Sequence, residues 1–195
     1  MVHAGFPSLL ADLVRTRGVV SERALVDAVA GEPVRGSWWG HPASHAIFRA
    51  LTELRENPDV FLCKLLEGKQ TYVHRRLWPA LLRAQAEESL WPPLSPEARR
   101  LLGRVEREGP VEATGRPRLE LERSLRAVAR PEHTPSGAHA AVLTPLAGHF
   151  PAEVVAEARA LPLESALAAL ADAGVVLRAP SGRRGRGTGR RSARR

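Results

Sequence analysis

Residues 60–78 read VFLCKLLEGKQTYVHRRLW, and they break the helical rhythm of everything before them. The stretch is rich in strand formers, has Glu67-Gly68 at its middle, and reads as a β-hairpin from Val60 to Arg76. Upstream, SLLADLVRTRG puts Leu9, Leu10, Leu13 and Val14 on one helical face and stops at Gly18. Ser21 caps a second helix, ERALVDAVA, whose Leu25, Val26 and Val29 form a stripe before Gly31 and Pro33 end it. A third helix starts at Pro42, carries Ile47, Phe48, Leu51 and Leu54 at helical spacing, and breaks at Asn57-Pro58-Asp59.

Three helices followed by a hairpin is the element order of the winged helix-turn-helix superfamily, which residues 8–78 resemble through that order and the hairpin KLLEGKQTYVHRR. The resemblance implies a third helix that enters the major groove of duplex DNA and a hairpin wing that touches backbone or minor groove. By position, the third helix then offers Ser44, His45, Arg49, Thr52 and Arg55, and the wing offers Lys64, Lys69, Gln70, Arg75 and Arg76. The chain departs from the pattern between its second and third helices, where eleven residues, Glu32 to Pro42, replace a turn of about three or four. That insertion holds RGSWWGHP, with Trp38 and Trp39 side by side.

A helix from about Leu77 to Glu88 leads into WPPLSP, a Pro-rich boundary. Beyond it, Ser95 caps a helix opened by Pro96, RLELERSLRAVA (118–129) reads as another, and PEHTPSGAHAAVLTP (131–145) reads as a second hairpin turning at Pro135-Ser136-Gly137. Residues 151–179 read as helix, Leu-Pro break, helix and a short apolar end. The expected fold is mainly α with small β-hairpins (α+β): a first winged-helix unit with trailing helix over 1–89, an abbreviated second unit over 90–146, a helical cap over 147–177 and a disordered basic tail over 178–195.

The formal net charge of +8 is located entirely in that tail. From Arg178 onward there are eight arginines and no acids, so residues 1–177 are neutral. Arg183, Arg184, Arg186, Arg190 and Arg191 are candidates for phosphate contact, since each arginine that neutralises a phosphate releases a counterion. A solubilising tail from a GC-rich genome fits the 27 arginines against two lysines as well. Within the body, residues 1–85 carry +3 and residues 86–177 carry −3, so body-borne DNA binding belongs to the first unit. One cysteine, Cys63, excludes an intrachain disulfide and suits a cytoplasmic protein. The first residues lack the pattern of a secretory signal, and no apolar run suits a membrane partner.

Nothing in the sequence nominates a nucleophile or a cofactor. Cys63 has no nearby ligand partner, and His41 and His45 are spaced i, i+4 without the glutamate of a zinc-protease helix, so no metal is expected. The glycine-rich tract at 182–189 follows no strand and opens no helix, which excludes a phosphate-binding loop. The two indoles have two readings. They cap the core with Trp78, or they form with His41, His45, Arg75 and Arg76 a surface that stacks a base or holds a partner's apolar anchor. Neighbouring side chains diverge, so one indole is expected to be buried, Trp38, and the other near the surface. The function expected is a non-catalytic, bacterial-type DNA-associated protein. The alternative is a protein-interaction module, and a repair accessory akin to winged-helix DNA glycosylases is a remoter option, lacking their catalytic motif.

Overall fold

The computed structural model describes residues 6–133 and 139–177. Helix α1 (Phe6–Arg17) buries Leu10 and Val14 and ends at Gly18, whose left-handed backbone (φ 80°) turns the chain into strand β1 (Val19–Ser21). A Cβ at Gly18 would lie 2.7 Å from both the Arg76 guanidinium and the buried Leu77, so a side chain there would also have to displace them. Ser21 ends the strand and caps α2 (Glu22–Ala30), its hydroxyl accepting from Ala24 N–H at 3.3 Å. After the long loop come α3 (Ser44–Arg55), β2 (Val60–Cys63) and β3 (Thr71–His74). The strands form an antiparallel sheet in the order β1-β3-β2, with Val19 and Phe61 both opposite Val73.

Helix α4 (Trp78–Gln85) follows directly, and residues 88–95 lead to α5 (Pro96–Glu108), capped by Ser95 as expected. A second antiparallel sheet, order β4-β6-β5, joins β4 (Val111–Glu112), β5 (Ala127–His133) and β6 (His139–Pro145). The expected hairpin is present, with His133 opposite His139; its turn at 135–137 lies outside the described residues. The helix expected through Ala129 is corrected: α6 covers Gly115–Arg123. The Ser124 hydroxyl donates to Glu120 O at 2.8 Å, competing with the helical ladder, and the fully buried Leu125 takes a left-handed backbone (φ 52°) that ends the helix. The C-terminal segment forms α7 (Ala152–Ala160) and α8 (Leu163–Asp172), separated by Leu161-Pro162 and packed on α4.

The fold is therefore mainly helical α+β with two small three-stranded antiparallel sheets. One core lies under α1, α2 and α3 (Leu10, Leu25, Ile47, Leu51, Tyr72), and another under α5 and α6 (Val105, Leu121, Leu143). A third joins the two halves of the chain: Phe61 and Val73 from the first sheet and Trp78 and Leu81 from α4 meet Leu125, Phe150 and Leu170. Trp91, the first residue of WPPLSP, is buried in this shared core, and its indole N–H donates to Ala84 O at 3.1 Å. The Pro-rich bridge is thus fastened to α4.

Ion pairs cross the same junction, the exposed Glu88 with Arg126 at 3.5 Å and a more buried pair at the first hairpin. Lys64, at the root of the first hairpin loop, reaches Glu122 of α6 at 3.0 Å, and Arg118 approaches the same carboxylate oxygen at 3.4 Å. The Glu122 side chain is 8 % exposed and that of Lys64 22 %, so removing the carboxylate leaves two cations facing one another in poorly solvated surroundings. Glu122→Ala is expected to lower stability by about 3 kcal/mol, roughly 10 °C in Tm. Glu108→Ala, which removes the exposed Arg104 pair, is expected to change it by less than about 1 kcal/mol. Equal effects in thermal denaturation would contradict this account of the junction.

Candidate nucleic-acid interface

The insertion between α2 and α3 is a fixed structure. Arg23 and Asp27, one turn apart on α2, grip it from both sides: the Arg23 guanidinium donates to Val34 O and, at 2.7 Å, to Gly36 O, while the Asp27 carboxylate accepts from Val34 N–H at 2.9 Å. Ser37 then opens a single 3₁₀ turn, Trp38–Gly40, its hydroxyl accepting from Trp39 N–H at 3.4 Å. His41 Nδ1 accepts from Ala43 N–H at 3.1 Å, so the ring carries its proton on Nε2, which faces the Glu32 carboxylate at 3.3 Å.

The two indoles do not diverge. They stack on each other, centroids 4.2 Å apart and planes 21° from parallel. Trp38 is half-buried against the first core, whereas Trp39 is 65 % exposed. The 3₁₀ turn brings successive side chains close enough for the rings to fold onto one another, which an extended loop would prevent. Trp78 belongs to the shared core and donates its indole N–H to Val73 O at 3.1 Å, so the expected joint cap of Trp38, Trp39 and Trp78 does not form. Phe48, expected on the buried stripe of α3, instead points outward (49 % exposed), with its ring 5.9 Å from Trp39. Ile47, Ala50, Leu51 and Leu54 already fill the inner face, and Phe48 lies about 100° beyond Ile47.

The outer face of α3 carries His45, Phe48, Arg49, Thr52 and Glu53, with Ser44 half-buried at its start. Arg49 donates to His45 Nε2 at 3.2 Å, which places the His45 proton on Nδ1. Arg55 is turned away from this face and engaged by Tyr72 Oη (3.2 Å), Glu22 (3.2 Å) and Gln70 (3.3 Å). Burial pushes the Tyr72 phenol up to about 12 despite Arg55 beside it, so the hydroxyl stays protonated as the hub of this network.

The other expected contact residues are divided among different places. Lys64 is committed to Glu122, and the loop beyond it lies against α6, with the Gly68 Cα next to the Arg123 side chain. Lys69 is exposed and pairs with Glu67 at 2.9 Å. Arg75 pairs with Asp59 at 3.0 Å, and Arg76 donates to Thr16 O at 3.2 Å. Arg75 and Arg76 cluster with Arg15 around His74, whose proton affinity is lowered by its burial and by those three cations, against the opposing pull of Asp59. Asp59 follows the C-terminal end of α3, whereas His41 and His45 stand at its N-terminal end, roughly 15 Å away along the axis. The structure therefore does not bring Arg75 and Arg76 to Trp39, His41 and His45. Arg183, Arg184, Arg186, Arg190 and Arg191 lie outside the described residues.

A hydroxyl–imidazole pair that sequence inspection missed lies on the second sheet. Thr144 Oγ1 is 2.6 Å from His149 Nε2, and Arg130 is 3.1 Å from Nδ1. A guanidinium has only protons to give, so Nδ1 accepts and Nε2 carries the ring proton. Thr144 Oγ1 therefore accepts a hydrogen bond from the His149 Nε2–H and donates its own O–H to Val128 O at 3.4 Å. The polarity is the reverse of a base activating a nucleophile, and the trio is a structural latch. Cys63 is equally unsuited, its thiol pushed up to about 12 by burial. Among the described residues there is no cluster of three or more His, Cys, Asp or Glu able to hold a metal ion.

No family model, curated protein or solved structure matches the chain.

The latch has a pH signature. Burial first, then the Arg130 charge, hold the His149 pKa below its ordinary value, and His74 shifts the same way. The unfolded chain then binds more protons than the native state below about pH 6.5, so stability present above that pH is lost as pH falls toward the lowered native pKa values. Tm is expected to drop between about pH 7.5 and 5.5, with a smaller drop in His149→Gln. An unchanged slope in that variant would remove His149 from the account.

Proposed function

We propose that the protein is a non-catalytic nucleic-acid-binding protein, built on a winged-helix plan, whose first unit makes the contact through the outer face of α3. The observation that carries this reading is the continuity of His45, Arg49 and Thr52 with the exposed Trp39 on one surface. It is supported by the element order α1-β1-α2-α3-β2-β3 and strand order β1-β3-β2 of that unit, and by the +3 charge of residues 1–85. The arginines of residues 178–195 add sequence-independent phosphate contacts. Of the two hairpin lysines Lys69, paired with the exposed Glu67, is the one left at the surface, since Lys64 faces the second unit. A cytoplasmic site of action belongs to the same proposal and rests on the single cysteine. The described residues include no helix long and apolar enough to cross a membrane.

A second reading, docking of another protein, is favoured by one observation: Trp39 and Phe48 form an exposed aromatic pair. The two readings separate in a salt titration of DNA binding. Arg49→Ala is expected to weaken binding several-fold and reduce the log–log salt slope by about 1. Lys64→Met is expected to leave both unchanged. Absence of DNA binding by the full chain at low salt would leave the docking reading in place.

A further inference from the structure

The first unit displays its largest side chain in the open on a scaffold that is rigid before anything binds. Trp38 covers one face of Trp39, Phe48 lies tilted beside it, and yet Trp39 remains 65 % exposed. Its second face is therefore the open end of a stack. The loop beneath is fixed by Arg23, Asp27, Ser37 and His41, so a third ring joining the stack pays little ordering entropy. Exposed Arg35 stands three residues before Trp38 in the same loop, and exposed Arg49 follows Phe48 on α3.

We propose that the Trp38–Trp39 stack is a stacking ledge for an unpaired base, so that the first unit takes single-stranded nucleic acid with Arg35 and Arg49 on its backbone. This rests on the nucleic-acid reading of the same face and narrows its substrate. A duplex fits poorly. A major groove about 12 Å wide admits a bare helix of about 10–12 Å. Here the N-terminal half of α3, where helix-turn-helix readers contact bases, already carries the 3₁₀ turn and the Trp39–Phe48 pair. An unpaired base has a free π face and no groove to enter, and every base offers one, so the ledge is tolerant of sequence. The exposed guanidinium groups of Arg35 and Arg49 suit a phosphate-linked strand better than an apolar protein segment, which has no charge for them to meet.

The test uses the full chain, an oligothymidylate of about 12 nucleotides and a duplex of similar length. Trp78 and Trp91 are buried with their N–H groups bonded internally, so quenching of intrinsic fluorescence by the oligothymidylate reports on Trp38 and Trp39. The expected result is quenching in the native chain, single-strand affinity at least about tenfold weaker in Trp39→Leu with Tm unchanged, near-native affinity in Trp39→Phe, and duplex affinity untouched in both. Native single-strand binding by Trp39→Leu, or equal loss toward both probes, overturns the ledge while leaving a nucleic-acid-binding face. Binding of neither probe by the native chain overturns the ledge and the reading it rests on together.

Discussion

The molecule depends on burying both faces of one four-residue strand. Tyr72 of β3 points into the core beneath α1–α3, and its neighbour Val73 points into the core shared with the second half of the chain, both with no measurable exposure. Strands this short form no stable sheet alone. Here β3 is held by β1 and β2 at its edges and by a core on each side, and Trp78 caps it by bonding to Val73 O. Because only four residues join α3 to β2, and Arg55 is tied to Tyr72, the position of α3 is set by that wall. The candidate surface is the face of α3 that the wall leaves outside.

The same arrangement alters what the first hairpin can do. A wing free to follow a phosphate backbone needs its loop in solvent. In this protein the loop leans on α6, its lysine neutralised by Glu122 and its glycine against Arg123. The second unit, residues 90–146, holds nine arginines and seven glutamates, so what the hairpin meets there is the single carboxylate of Glu122 and not a negative field. The Lys64 charge is used inside the molecule, which in the proposed function leaves the contact to α3 and the loop before it.

The parts of the fold written in local chemistry were legible. The helix caps Ser21 and Ser95, the glycine stop at Gly18 and the hairpin around Glu67-Gly68 each act within a few residues, and each appears where the sequence placed it. Strands β1 and β4 escaped because two or three residues carry no period, and their existence depends on the free edges of β3 and β6. The end of α6 escaped because Leu125 is committed to a core formed by residues distant in sequence. At the site, the inference of one sheltered and one exposed indole identified the right pair, but the stack depends on a 3₁₀ turn that Arg23 and Asp27 hold from another helix. Spacing alone places Phe48 in the core, a signal blind to the inner face being full without it.

An exposed indole is an expense unless something meets it, since burying such a ring would have stabilised the chain. The loop that holds Trp39 out is bound by four separate side-chain contacts, so its exposure is enforced by structure. In the proposed function this rigidity complements the tail. Arginines that release counterions draw any phosphate chain toward the body without distinguishing its bases. A body that is neutral overall adds little to that attraction and, through a flat aromatic face, adds discrimination. Affinity and selectivity then reside in different parts of the chain, and the ledge can favour unpaired bases without having to capture the strand on its own.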